Sequence, residues 1–161
     1  MLIGILSDSH DRGEMMRAAV VLLQDRGAQF FIHCGDICSP ELLDHLAGLQ
    51  CAVVWGNCDW DRAGLQRYAG EIRVPLYGAV ADLELDGKQI SVLHGDDRQR
   101  MEATLKAERH DYLFHGHTHV MRDERIGKTR VINPGALHRA VEKTVALLDT
   151  AGDRLEFIRV P

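Results

Sequence analysis
The sequence predicts an α/β protein with two packed β-sheets flanked by helices, and three observations point to it. Apolar strand-like runs alternate with helix-period segments through the first third of the chain. In the second half, turn-forming dipeptides separate further strand-like runs, with one helical segment among them. With 161 residues and 45% hydrophobic composition, the chain matches the usual size of one domain with a sizeable core, so a single domain over residues 1–161 is expected.

Leu2 to Ser7 is a short apolar run that stops at a polar cluster, the pattern of a buried strand running into a loop. Gly13 to Arg26 carries Met15, Met16, Ala19, Val20, Leu22 and Leu23 at helical spacing and is followed by Gly27, a residue suited to ending a helix. Phe30 to Cys34 reads as a second strand, and Pro40 to Leu49 as a second helix with Ser39 as its N-cap. Cys51 to Trp55 reads as a third strand. This alternation implies βαβ units and a parallel sheet with right-handed crossovers. Val80 to Leu85 and Gln89 to His94 are joined by Asp86-Gly87, a strong hairpin signal. A helix is expected over about Arg98 to Arg109 and a strand over Tyr112 to His115, while Gly127-Lys128 and Ala151-Gly152 mark later turns.

The composition narrows the function classes. Residues 1–20 lack a basic leader followed by an unbroken apolar run, and no window approaches the ~20 apolar residues of a bilayer span. A soluble protein without a membrane partner is therefore expected. Net charge is −5, with 24 acidic against 19 basic residues and no long Lys/Arg block, which makes long nucleic acid a poor partner. Cys34, Cys38, Cys51 and Cys58 lack the paired spacing of a zinc ribbon, so reduced thiols in a cytoplasmic protein are expected, with Cys34 and Cys51 in the core.

Polar clusters recur where apolar strands end: Asp8-Ser9-His10, Gly35-Asp36, Gly56-Asn57-Cys58-Asp59, His94-Gly95-Asp96 and Gly116-His117-Thr118-His119. In parallel sheets the C-terminal strand ends converge on one edge, where ligands bind. Carboxylate, amide and imidazole donors without thiolate suit manganese, iron, zinc, nickel or cobalt. Asp-x-His and His-x-His would present two donors on the same side of an extended segment, and the neighbouring glycines would let the backbone approach a ligand. A lone Asp-x-His is commonly a solvated loop; the specificity lies in the ordered set.

With those motifs in place, the sequence resembles the calcineurin-like metallophosphoesterase superfamily, and within it the small single-domain phosphodiesterases of YfcE type. The resemblance runs from Leu2 to about Arg139. It implies a four-layer αββα sandwich of two mixed β-sheets flanked by helices. It also implies two divalent metal ions, manganese first, with nickel, iron, cobalt or zinc as alternatives. Asp8, His10, Asp36 and His119 would hold one ion, and Asp36, Asn57, His94 and His117 the other, which makes Asp36 the bridging carboxylate. By the same resemblance, Asp36, Asn57 and His94 would carry the catalytic roles. The implied reaction is hydrolysis of small or nucleotide-like phosphodiesters by in-line attack of a metal-bridging hydroxide, with the ions ~3.5 to 4 Å apart.

Two departures from the family pattern matter. Many members have histidine after the asparagine, where this chain has Cys58, a poorer acid at neutral pH; Asn57 and Cys58 remain candidates for substrate contact, with Asp59 as a supporting partner. After Asn133-Pro134-Gly135 comes Ala136 where relatives often have serine. The remaining candidates have ordinary readings: His33 and His115 as hydrogen-bonded core residues, His45, His110 and His138 at the surface, Arg98 and Arg100 on a solvated helix face. Trp55 is expected in the core, and Trp60, which flanks the Asn57 loop, is kept as a candidate for stacking on a substrate base. Two competing functions stay open, a non-catalytic protein-binding scaffold of the retromer-subunit type and a phosphomonoesterase. Self-association into a homo-oligomer is also left open.

Overall fold
The computed structural model describes all 161 residues. In chain order its elements are β1 (Leu2–Leu6), α1 (Gly13–Asp25), β2 (Phe30–His33), a 3-10 helix (Pro40–Leu46), β3 (Cys51–Val53), α2 (Arg62–Glu71), β4 (Val80–Leu85) and β5 (Lys88–Leu93). They continue with α3 (Arg98–Lys106), β6 (Tyr112–Phe114), β7 (Arg122–Ile126), β8 (Thr129–Asn133), β9 (Thr144–Asp149) and β10 (Arg154–Arg159). Two five-stranded mixed sheets result, in the orders β10-β9-β1-β2-β3 and β4-β5-β6-β8-β7.

The layering follows from alternation along the strands. Ile3 and Ile5 of β1 point between the sheets, where they meet Ile90, Val92, Phe114 and Ile132 of the second sheet. The opposite face of β1 carries Gly4 and Leu6 and packs on the helical side with Met16, Leu23, Leu43 and Leu65. Gly4 is there because a Cβ would lie 2.9 Å from Leu23 Cδ1, which would push α1 off the sheet. On the far side, Leu93, Leu113 and Val131 receive Met101 and Leu105 of α3. The four layers are thus helices, sheet, sheet and helix, the expected αββα sandwich.

Several local expectations hold in detail. Asp86 and Gly87 both have positive φ (54° and 70°), as a type I′ turn requires, and Leu85 pairs with Lys88 across it. α1 closes in a Schellman arrangement, with Gly27 N–H donating to Gln24 O and Ala28 N–H to Leu23 O, both at 2.9 Å.

Others are corrected. The segment after Ser39 is a 3-10 helix over Pro40–Leu46, and Ser39 makes no side-chain cap. Leu43 and Leu46 are three apart and both buried, a spacing that a three-residue turn stacks directly, and Gly48 at φ 78° ends the run. α2 was not expected: Gly64 and Gly70 dilute its apolar pattern, and its buried residues are only Gly64, Leu65 and Ala69. Its start does carry a signal, since the Asp61 side chain accepts from Gly64 N–H at 2.8 Å.

The strands β1, β2, β3, β5 and β6 all stop one or two residues before the expected ends. The chain leaves the sheet there to present the polar clusters. β1, β2 and β3 run parallel, as do β5, β6 and β8, so six C-terminal ends lie along the seam between the sheets.

Candidate metal centre
The seven donor residues expected from the sequence come together at that seam. Asp8 and His10 follow β1, Asp36 follows β2, Asn57 follows β3, His94 follows β5, and His117 and His119 follow β6. Their convergence does not come from strand pleating. Asp8, His10, Asp36, His117 and His119 all have positive φ, between 40° and 67°. Each such turn costs a non-glycine residue about 1 kcal/mol or more, so the surrounding contacts must hold it.

Asp8 is fully buried. Its Oδ2 accepts from Ser7 Oγ at 2.6 Å and from His117 N–H at 3.1 Å. Its Oδ1 has no hydrogen-bond partner and lies 3.1 Å from His119 Nε2 and 3.8 Å from His10 Nε2. His10 Nε2 is likewise buried without a hydrogen-bond partner, while its Nδ1 sits 3.6 Å from Cys38 Sγ.

Asp36 is the hinge of the cluster. Its Oδ1 accepts the Cys58 N–H at 2.7 Å, and its Oδ2 stands 3.5 Å from His10 Nε2 and 3.4 Å from His94 Nε2. Asn57 Oδ1 lies 3.0 Å from His94 Nε2 and 2.9 Å from His117 Nδ1. Two donor groups therefore share Asp36: Asp8, His10 and His119 on one side, Asn57, His94 and His117 on the other. Asp8, Asp36 and His94 are buried while Asn57 and His117 are exposed, so the centre opens on the Asn57–His117 side.

The electrostatics fit a cation site. Burial alone would raise the Asp36 carboxyl, but the His94 ring and the Cys58 amide hold it well below the usual carboxylate range. Burial opposes charge on His94, yet Asp36 beside it wins and lifts that imidazole to about 8. Burial pushes His10 down despite Asp36 and Asp8. Buried oxygen and imidazole atoms without partners are costly unless something pairs with them. A cation at each donor group would pair them, and the carboxylate, imidazole and amide-oxygen set suits first-row divalent ions.

Further residues hold the donors in place. His94 Nδ1 meets Cys34 O at 2.8 Å, which leaves Nε2 facing the centre. His33 is buried between Ser9 Oγ and Gly35 N–H, and burial lowers it to about 3. His115 is lowered by burial to about 4; together with Gly116 O and Thr118 Oγ1 it meets the Asn133 amide, which ties β8 to the His117 loop. Both histidines are the core supports expected of them. Asp59 exceeds its expected supporting role, since its carboxylate accepts four backbone N–H groups, from Asp36, Ile37, Cys38 and Gly56.

The glycines act differently from expectation. A Cβ on Gly56 would lie 2.0 Å from Asp36 Oδ1, and one on Gly116 would lie 2.5 Å from Asp8 Oδ2. They make room for the carboxylates rather than for an incoming ligand.

Among the other candidates, Arg98 is solvated, 90% exposed and paired with Glu102. Arg100 is exposed as expected, 3.5 Å from Asp97, and also lines a cavity of about 260 Å³ with His94, Trp55 and Arg62. Trp55 is only partly buried, with the Arg62 guanidinium 5.2 Å over its ring, and Trp60 is 87% exposed. His110 is half-buried against Asp82 at 3.2 Å. His138 was missed by its assignment to the general surface: its ring stands 5.4 Å from that of His10. The available signal was its position just beyond the end of β8, on the same sheet edge as the donors.

Comparison with known proteins finds relatives over nearly the whole chain. The chain is 29% identical over 155 residues to Phosphodiesterase MJ0936 of Methanocaldococcus jannaschii, covering 93% of each. A solved structure of a novel archaeal phosphodiesterase superposes with TM-score 0.90 at 27% identity, covering 99% of both chains. YfcE, a phosphoesterase from E. coli, shares the fold at TM-score 0.71 and 18% identity over the full length of both. The calcineurin-like phosphoesterase superfamily domain matches residues 1–153. The chain belongs to the calcineurin-like phosphoesterase superfamily.

Proposed function
We propose that this protein is a dinuclear-metal phosphodiesterase acting on small or nucleotide-like diesters, with Asp8, His10, Asp36 and His119 holding one ion and Asp36, Asn57, His94 and His117 the other. The observation that carries the reading is the position of Asp36 Oδ2, 3.5 Å from His10 Nε2 and 3.4 Å from His94 Nε2, between two otherwise separate donor groups. The named relatives support the hydrolase class, and manganese leads among the ions that suit these donors.

When bound, two such ions supply positive charge for the phosphoryl oxygens and acidify a water. The chain's own residues set the geometry for that chemistry. The Cys58 N–H fixes Asp36 Oδ1, which leaves Oδ2 to face both groups. Ser7 and the His117 N–H occupy Asp8 Oδ2 and leave Oδ1 free. Cys34 O orients His94. Exposed Asn57 and His117 mark the side from which a diester enters, and the Cys58 thiol sits beside them, within 4.8 Å of donor atoms of His10 and Asp36. Burial, then Asp36, pushes this thiol up to about 11, so it stays protonated and uncharged toward a phosphate anion.

The deciding experiment is a panel of aryl diesters, cyclic nucleotides and monoesters, each with manganese, nickel, cobalt, zinc and magnesium. Turnover of diesters over monoesters in a metal-dependent manner is expected. Silence across the panel after verified metal loading would favour the scaffold reading, and a preference for monoesters would favour the phosphomonoesterase.

A further inference from the structure
Beside the metal centre, on the His10 side, lies a groove of about 420 Å³ lined by Arg12, Met15, Leu137, His138, Arg139 and Lys143. Its charged lining is wholly basic. Over the chain acidic residues outnumber basic ones 24 to 19, and eight of the fifteen arginines are in ion pairs, among them Arg26 with Glu156 at 2.5 Å and Arg130 with Asp123 at 2.7 Å. Arg12, Arg139 and Lys143 form no ion pair: Arg12 Nε donates to His138 Nδ1 at 3.3 Å, Lys143 Nζ donates to Ala140 O at 2.8 Å, and the neighbouring Glu142 is engaged by Arg159 at 3.4 Å.

The groove adjoins the centre where the rings of His138 and His10 meet, tilted at 59° with centroids 5.4 Å apart. The Arg139 charge is close enough to add to burial in lowering both His10 and His138. Three unpaired cations over an apolar floor of Met15 and Leu137 match an anionic group attached to an organic body.

We infer that this groove binds a second phosphate carried by the substrate, so that the preferred diester is one whose alcohol is itself phosphorylated. The inference rests on the phosphodiesterase reading for the bond that is cleaved, but the binding step stands apart from it. Contacts to a remote phosphate raise kcat/KM through binding energy available away from the reacting centre.

The test uses the manganese-loaded protein and a matched pair of esters, thymidine 5′-(p-nitrophenyl phosphate) and the same compound bearing a 3′-phosphate. The parent is expected to favour the 3′-phosphorylated ester by about tenfold or more in kcat/KM, and Arg12→Gln/Arg139→Gln to lower that ratio to about threefold or less. Arg17→Gln, an exposed cation one turn along α1, should leave the ratio as it is. Calorimetric titration with thymidine 3′,5′-bisphosphate and thymidine 5′-monophosphate reads the groove without turnover, and the bisphosphate should bind more tightly only while both arginines are present. Equal kcat/KM for the two esters and equal affinity for the two nucleotides would overturn the inference while leaving the diesterase reading intact. Tighter bisphosphate binding that depends on the arginines, without turnover of either ester, would support the groove and count against the hydrolase.

Discussion
The carboxylate of Asp59 holds the backbone of Asp36: Oδ2 accepts the Asp36 N–H at 3.1 Å, and Oδ1 accepts the next two amides, Ile37 at 2.8 Å and Cys38 at 2.7 Å. Gly56 N–H donates to the same group at 2.7 Å. This cradle keeps Asp36 and Cys38 in left-handed backbone, at φ 58° and 75°, and links the loop after β2 to the loop after β3.

Replacing Asp59 should therefore damage both stability and metal binding. Asp59→Ala leaves buried amides unpaired, at ~1 to 3 kcal/mol for each one that water does not reach. A loss of about 3 kcal/mol or more in total is expected, which for a chain of this size is a drop of about 8 °C or more in Tm. Asp59→Asn keeps the shape but turns an N–H₂ toward donors and should fall between. Thermal unfolding of the metal-free proteins checks this, and a shift of under about 2 °C for Asp59→Ala would show that the cradle is dispensable.

The backbone N–H of Cys58 grips Asp36 Oδ1 at 2.7 Å, and the expectation is that the centre depends on this amide and not on the thiol. Cys58→Ala keeps that amide and should leave aryl-diester turnover within about threefold, under ~1 kcal/mol of transition-state stabilisation. Cys58→His adds an acid of suitable pKa at the mouth of the centre and should help esters with poor leaving groups most, by up to about 10²-fold. The measurement is kcat/KM across esters of graded leaving-group pKa at saturating metal. A loss of about a hundredfold in Cys58→Ala with unchanged metal content would give the thiol a direct role.

The proton on His94 gives a pH signature. In the metal-free protein this ring is held at about 8, above its ordinary 6.5, so it stays charged at neutral pH, and the Asp36–His94 attraction is fully present below 6.5 and lost as pH rises through about 8. A cation can bind only where His94 Nε2 has given up its proton. Manganese binding near pH 7 should then release about one proton from this group, and less above pH 8; activity should fall in acid as protons compete for His10, His94, His117 and His119. Calorimetry in buffers of different ionisation enthalpy reads the proton count. A release independent of pH between about 6 and 9, or activity that stays flat through pH 5 with metal in excess, would contradict the assignment of His94.

The layering and the meeting of the polar clusters at one sheet edge were legible in the sequence because both depend on local signals. Apolar runs such as Leu2 to Leu6 carry their own period, and each donor lies within a few residues of a strand end. What stayed hidden depends on tertiary contact. α2 has too few buried side chains to show a period, and its cap at Asp61 was its only local mark. His138 reaches the His10 ring only because β8 ends on the same edge as β1, a relation set by strand order. The left-handed turns at Asp8, His10, His117 and His119 were also unforeseen, since alternation in the sequence looks the same whether a segment is extended or coiled around a site.

If Asp36 serves two ions at once, the metal stoichiometry of Asp36→Asn must show it. On the proposed dinuclear reading, removing the charge from Oδ2 would take the shared anion from between two cations, which would then repel each other. Equilibrium dialysis against manganese, read by elemental analysis, should give two equivalents for the parent and no more than one for Asp36→Asn, with a larger loss of metal and of diester turnover than in His10→Ala or Asn57→Ala. Two equivalents bound by Asp36→Asn as tightly as by the parent would contradict the bridging role and, with it, the dinuclear account.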